Sequence, residues 1–212
     1  MAKPVVISLY LNGLGDGTLR GREAWLFRRH AKKGIHVVTG HVNWRTNESF
    51  LHMRDRYVVQ ARELLKTIGD TGILVLNGSS AGVCLALAVR DVIDDARIIV
   101  IGHSGRIRAG RQARWDYRTM EWCAHLGKST ESRSFYEGVA YCERELLPRM
   151  SQDQKNRTLL TTPFACVDEL VPASTMPIQG VKNVVVPVIG HVTAIGYGLW
   201  RMPAYLKRLN KH

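Results

Sequence analysis

The sequence predicts an α/β fold, a central parallel sheet of about six strands with helices on both faces, and three observations carry that reading. Six short apolar runs alternate with longer amphipathic segments, the order that builds strand–helix–strand crossovers. The runs are continuous rather than alternating, as strands covered on both faces are. The stretch ILVLNGSSAGVCLALAV, residues 73–89, passes from an apolar strand through Gly and Ser into an apolar helix, a strand–turn–helix junction in the middle of the chain.

The predicted strands are Val5 to Tyr10, Ile35 to Thr39, Ile73 to Leu76, Arg97 to Ile101, Thr158 to Phe164 and Asn183 to Val188. Between the first two, Arg22 to Lys33 reads as a helix closed by Gly34. Leu51, Tyr57, Val58, Ala61, Leu64, Leu65 and Ile68 recur at spacings of three, four and seven, which predicts a helix from Phe50 to Ile68 ended by Gly69. Ser134 with Glu137 suggests a capping box for a helix buried along Phe135, Val139, Cys142 and Leu146 and stopped by Pro148. A last helix is expected from about Thr193, bent at Pro203. No repeat, low-complexity tract or linker divides the 212 residues, so residues 1–212 are expected to form one domain.

Composition narrows the classes. At 45% hydrophobic and 23% charged the chain is neither disordered nor fibrous. The uncharged run from Thr71 to Val89 has the length of a membrane span, but Asn77, two serines and two glycines sit at its centre, so no transmembrane segment is expected. MAKPVVISLYLNG has no apolar region ending in a small-residue cleavage site, so no secretory signal is read. Cys84, Cys123, Cys142 and Cys166 make no CxxC pair and suit reduced core thiols, which points to the cytoplasm. The net charge of +12 implies attraction to anionic partners. Arg106, Arg108, Arg111, Arg114 and Arg118, interleaved with Trp115 and Tyr117, form its densest cluster.

Gly78-Ser79-Ser80-Ala81-Gly82 fits Gly-x-Ser-x-Gly with Ser80 central. A serine held in a sharp strand-to-helix turn needs small neighbours two residues away, so that strand and helix can approach beneath it. The pattern arises by chance often enough that its context must decide. Downstream, Asp168 follows the strand ending near Cys166, and His191 follows the last strand. Both are expected at the carboxyl edge of the sheet, where Ser80 projects and where ligands bind in open α/β sheets.

In these residues and their Ser, acid, His order the chain resembles the α/β-hydrolase superfamily, in a small form lacking the first two strands. The resemblance implies that Ser80 attacks an acyl carbonyl, that His191 relays the proton and that Asp168 orients the imidazole. It implies oxyanion donors at the backbone N–H of Ala81 and of a residue in YLNGLGDG, where Leu14 is preferred over Gly13 or Gly15. The family often has His-Gly in that loop, where this chain has Asn12-Gly13. It also implies a small lid, expected within residues 103–157.

Ser79 is the weaker nucleophile, because only Ser80 has glycine two residues away on both sides. Glu169 is the alternative acid, and Ser104 in Gly102-His103-Ser104-Gly105 reads as a loop residue because Arg106 stands where the second glycine should be. The expected activity is hydrolysis of a small carboxylic ester or thioester, anionic ones included, with no cofactor and no metal. Acyl transfer by the same residues, or a catalytically silent fold binding an anionic partner such as nucleic acid, are the alternatives. The sequence does not set the oligomeric state.

Overall fold

The computed structural model describes residues 4–14, 21–44, 46–109, 132–164, 168 and 170–209. Six strands form one sheet: β1 (Val6–Leu11), β2 (Ile35–Thr39), β3 (Ile73–Ser79), β4 (Ile98–His103), β5 (Thr158–Pro163) and β6 (Lys182–Val186). Their order is β2-β1-β3-β4-β5-β6, and every pair is parallel. All six predicted strands are present, most with ends shifted by one or two residues.

The helices are α1 (Gly21–Ala31), α2 (Phe50–Thr67), α3 (Gly82–Val92), α4 (Arg133–Tyr141), α5 (Gln152–Asn156) and α6 (His191–Leu209). One face of the sheet packs Leu9, Leu11, Leu74, Leu76 and Val100 with side chains of α2, α3 and α4. The other packs Val75, Ile99, Ile101 and Leu159 against Met202, Tyr205 and Leu206 of α6, while Tyr10 meets Leu26 of α1 and Leu199 of α6. Each fully buried leucine contributes about 1.5–3 kcal/mol, so β3 and α3, which are buried along most of their length, anchor the molecule.

β3 and β4 run further than the sequence suggests, through Asn77-Gly78-Ser79 and Gly102-His103. Pairing of Asn77 with Tyr10 and Ile101, and of Ser79 with His103, holds these weak strand formers in the sheet; tertiary context outweighs propensity. The chain leaves β1 toward β2 on one side and returns to β3 on the other. The strand order therefore reverses between β1 and β3, which opens a crevice at their carboxyl ends.

The predicted capping box at Ser134 is not formed. Ser132, in extended backbone, caps α4 by accepting from the Phe135 N–H, and Ser134 donates to the Glu48 carbonyl. Glu137 instead accepts from the Phe50 N–H at 2.8 Å, because the first turn of α2 has unpaired donors that attract a carboxylate. Phe135, Val139, Cys142 and Leu146 are buried as expected. The helix runs through a π turn at Cys142–Leu146 and a last turn at Leu147–Arg149, so it ends one residue past Pro148.

Within residues 103–157, the stretch 132–157 holds α4, the turns after it and α5, with α4 packed on α2 and α3. The rest of the expected lid insertion is residues 103–131. Arg111, Arg114 and Arg118, with most of that stretch, lie outside the described residues.

Candidate active site

The turn after β3 is built by steric necessity. Ser80 has φ +53°, a left-handed backbone that costs a non-glycine residue on the order of 1–3 kcal/mol. Its N–H donates to the His103 carbonyl at 2.9 Å, which ties the strained residue to the end of β4. A Cβ on Gly82 would stand 2.0 Å from the Leu11 carbonyl oxygen, and one on Gly78 would stand 2.6 Å from the Gly82 carbonyl oxygen. β1, β3 and α3 thus converge on backbone alone, as the spacing of the two glycines predicts.

The loop after β1 closes on the same serine. A Cβ on Gly13 would lie 2.8 Å from Ser80 Cβ and 3.3 Å from its Oγ, so nothing larger than glycine fits beside the hydroxyl. Asn12 fixes this loop: its Oδ1 accepts from the Val42 N–H at 2.8 Å, and its Nδ2 donates to the Val42 carbonyl at 2.9 Å. Trp44 Nε1–H donates to the Asn12 carbonyl at 2.9 Å. Sequence reading noted Asn12 only as a departure from a family pattern; a strand-end Asn whose amide mimics a strand partner was the missed signal. Leu14 is partly buried against the core, and Ala81 is buried at the N-terminus of α3.

Asp168 and His191 meet directly. His191 Nδ1 lies 2.9 Å from Asp168 Oδ2 and 3.1 Å from Oδ1, and both side chains are buried. Asp168 Oδ1 also accepts from the Leu170 N–H at 2.9 Å and the Val171 N–H at 2.8 Å. Bonds of this kind fix the carboxylate in direction. With Nδ1 held by the carboxylate, Nε2 is the ring nitrogen whose tautomer can accept a proton. His191 is the first residue of α6, entered through Gly190 at φ +89°. Ser80, Asp168 and His191 thus leave β3, β5 and β6 at one edge of the sheet. Glu169, Gly15, Cys123 and Cys166 lie outside the described residues; Cys84 and Cys142 are buried free thiols.

Ser104 lies in the loop just past β4, as expected, but its backbone repeats that of Ser80. It has φ +49° and is completely buried, one residue past the pairing of Ser79 with His103, so two neighbouring strands end in the same left-handed turn. Its N–H donates to the Thr161 carbonyl just as Ser80 donates to His103. Burial separates the two, for Ser80 alone is partly open to solvent. His103 points to the other face of the sheet, with Nδ1 3.1 Å from Thr161 Oγ1 and its ring against Gly198 of α6. Burial, and secondarily the charge of His30, pushes its pKa down to about 3. His103 is therefore neutral and supports the edge from beneath.

No protein-family model matches the chain, and no curated protein does. Solved structures do. A metagenome-derived lipolytic enzyme from the LipS and LipT study superimposes with a TM-score of 0.63 at 14% identity, covering 99% of this chain and 95% of its own. The monoacylglycerol lipase of Paleococcus ferrophilus gives 0.58 at 14% identity, covering 96% and 93%. A structure from a study of carboxylesterases of the thaumarchaeon Nitrososphaera gargenis gives 0.62 at 11% identity, covering 98% and 92%. Six parallel strands in this order, wrapped by helices and matched over nearly the full length of these enzymes, give the chain the α/β-hydrolase fold.

Proposed function

We propose that this chain is a serine hydrolase that cleaves a carboxylic ester or thioester through an acyl-enzyme. The observation that carries the proposal is the pairing of two independent features at one sheet edge: a serine in a strained, glycine-flanked turn and a buried, carboxylate-bound histidine. Ser80 Oγ attacks the acyl carbonyl as its proton passes to His191 Nε2. The imidazolium then protonates the leaving alkoxide or thiolate, and water repeats the sequence to release the acid. Asp168 holds the imidazole in the tautomer that accepts at Nε2 and stabilises it once charged.

The tetrahedral oxyanion takes hydrogen bonds from the Ala81 N–H, favoured by the dipole of α3, and from the Leu14 N–H in the loop that Asn12 staples. The lipolytic enzyme and lipase among the structural neighbours support an ester substrate. In this reading residues 1–212 act as one domain, with the lid insertion within 103–157. The buried free thiols fit a reducing compartment such as the cytoplasm.

The test is labelling with a fluorophosphonate, followed by peptide mapping and an ester and thioester chain-length panel. Modification is expected at Ser80, lost in Ser80→Ala and in His191→Ala. A folded protein that neither labels nor turns over any ester or thioester would refute the proposal.

A further inference from the structure

The +12 charge is not spread evenly. Basic side chains such as Arg56, Lys66, Arg97 and Arg149 pair with carboxylates. On the outer face of α1 and α6 the pattern changes. α1 turns Trp25 and Arg28 outward, at positions i and i+3, and Lys32, one residue past its end, is exposed at i+7. α6 adds Trp200 and Arg201, then Lys207 and Arg208 in its last turn. The two helices are joined by Arg29, whose guanidinium lies 4.8 Å from the Trp200 ring centre, while Arg201 lies 5.5 Å from the same ring. α6 contains no acidic residue, and the one carboxylate of α1, Glu23, accepts from the Tyr10 hydroxyl. Among the described residues, no carboxylate forms an ion pair with any of these cations.

Helix dipoles account for cations in last turns. They do not account for Trp25 at 55% exposure beside them, nor for the exposed aliphatic side chains where α6 begins, Val192 in its first turn and Ile189 just before it, at 72% and 62%. Exposed tryptophan, lysine and arginine on one face, bordered by exposed aliphatic side chains, is the chemistry of a surface that meets anionic headgroups and the acyl boundary below them. A nucleic acid would use the cations but not Val192 and Ile189, and the Trp200 ring is already engaged by two guanidiniums.

We infer that the α1–α6 face docks the protein onto an anionic lipid bilayer, with the start of α6, and therefore the His191 edge of the sheet, held against the membrane. Aromatic rings rest at the headgroup level, cations meet lipid phosphates and carboxylates, and Val192 and Ile189 reach the acyl boundary beside the Asp168–His191 pair. The docking needs no chemistry at Ser80, so its success or failure is separable from that of the hydrolase reading.

The test is co-sedimentation of the full chain with vesicles of phosphatidylcholine alone or with about one-third phosphatidylglycerol, at low and at about 0.5 M salt (screening length about 4 Å). Binding is expected only to the anionic vesicles and is expected to be released by salt. Each headgroup-facing cation is worth about fivefold, so Arg28→Gln, Lys32→Gln and Lys207→Gln together should weaken it on the order of 100-fold. None of the three stacks on Trp200, so circular dichroism and thermal unfolding should be unchanged. Val192→Asp should weaken binding at constant charge density of the vesicle, and Ser80→Ala should bind like the parent. Equal binding to neutral vesicles, unweakened binding by the triple variant, or preference for a duplex or single-stranded oligonucleotide over the anionic vesicles would each overturn the inference.

Discussion

His103 makes stability depend on pH in a way that can be isolated. Burial lowers its pKa from the ordinary 6.5 to about 3, so the folded protein keeps it neutral while the unfolded chain takes up a proton below pH 6.5. The unfolded state then binds more protons than the folded one, and stability falls as pH falls through that window. The slope approaches about 1.4 kcal/mol per pH unit, and integration between pH 7 and 4.5 gives a loss of about 2.5 kcal/mol from this residue. His30, also lowered chiefly by burial, acts in the same direction. To separate His103 from the other titrating groups, urea unfolding of the parent and of His103→Gln is compared at each pH. Glutamine can keep a polar contact with Thr161 without titrating. The parent should lose about 2.5 kcal/mol relative to the variant over this range. A parent-minus-variant difference that stays flat from pH 7 to 4.5 would refute the claim that His103 is buried and neutral.

Asp168→Asn removes the charge that fixes the imidazole tautomer and should slow fluorophosphonate labelling and ester turnover by about 10³–10⁴-fold with the fold intact; a loss under tenfold would contradict its role. Gly13→Ala places a methyl 2.8 Å from Ser80 Cβ, and a displaced serine should lower turnover by about 100-fold while changing stability by about 1 kcal/mol. Steady-state kinetics beside thermal unfolding distinguishes that outcome from general destabilisation. Asn12→Ala deletes two hydrogen bonds to Val42 and should cost about 2 kcal/mol in urea unfolding, with a larger proportional fall in turnover; unchanged stability would show that the loop is held by other contacts.

Much of this was legible because burial writes itself into composition. Continuous apolar runs gave the six strands, and the glycines at 78 and 82 marked a close approach that the Leu11 and Gly82 carbonyls make real. What escaped is what depends on partners distant in sequence. Glu137 looks like a local capping residue until α2 presents its N-terminus across space. Asn77 and His103 look like strand breakers until the neighbouring strands pair with them. The left-handed turn at Ser104 could not be told from an ordinary loop, since the glycine two residues on is absent and the turn is imposed by pairing of its N–H with Thr161. The local capping box that does form, Ser151 with Gln154, lay in the sequence with the expected spacing and went unread for want of a long apolar stripe behind it.

The two halves of the candidate site are joined through His103. Its carbonyl accepts the Ser80 N–H and so holds the left-handed turn on which the hydroxyl depends. Its side chain fills the space a Gly198 side chain would need, and α6, which carries Gly198, begins at His191. One residue therefore sets the height of the serine on one face and the seating of the histidine-bearing helix on the other. A charge on this imidazole would be buried against α6 with only Thr161 as a side-chain partner, and the cost would fall on both elements. Down to about pH 4.5 the folded protein keeps this imidazole neutral, so both elements hold their places and acid acts on them through global stability. Between about pH 7 and 4.5 the rate of fluorophosphonate labelling per folded molecule should therefore change with pH alike in the parent and in His103→Gln, while their stabilities diverge; labelling that fell earlier in the parent would show that His103 takes up its proton within the folded state.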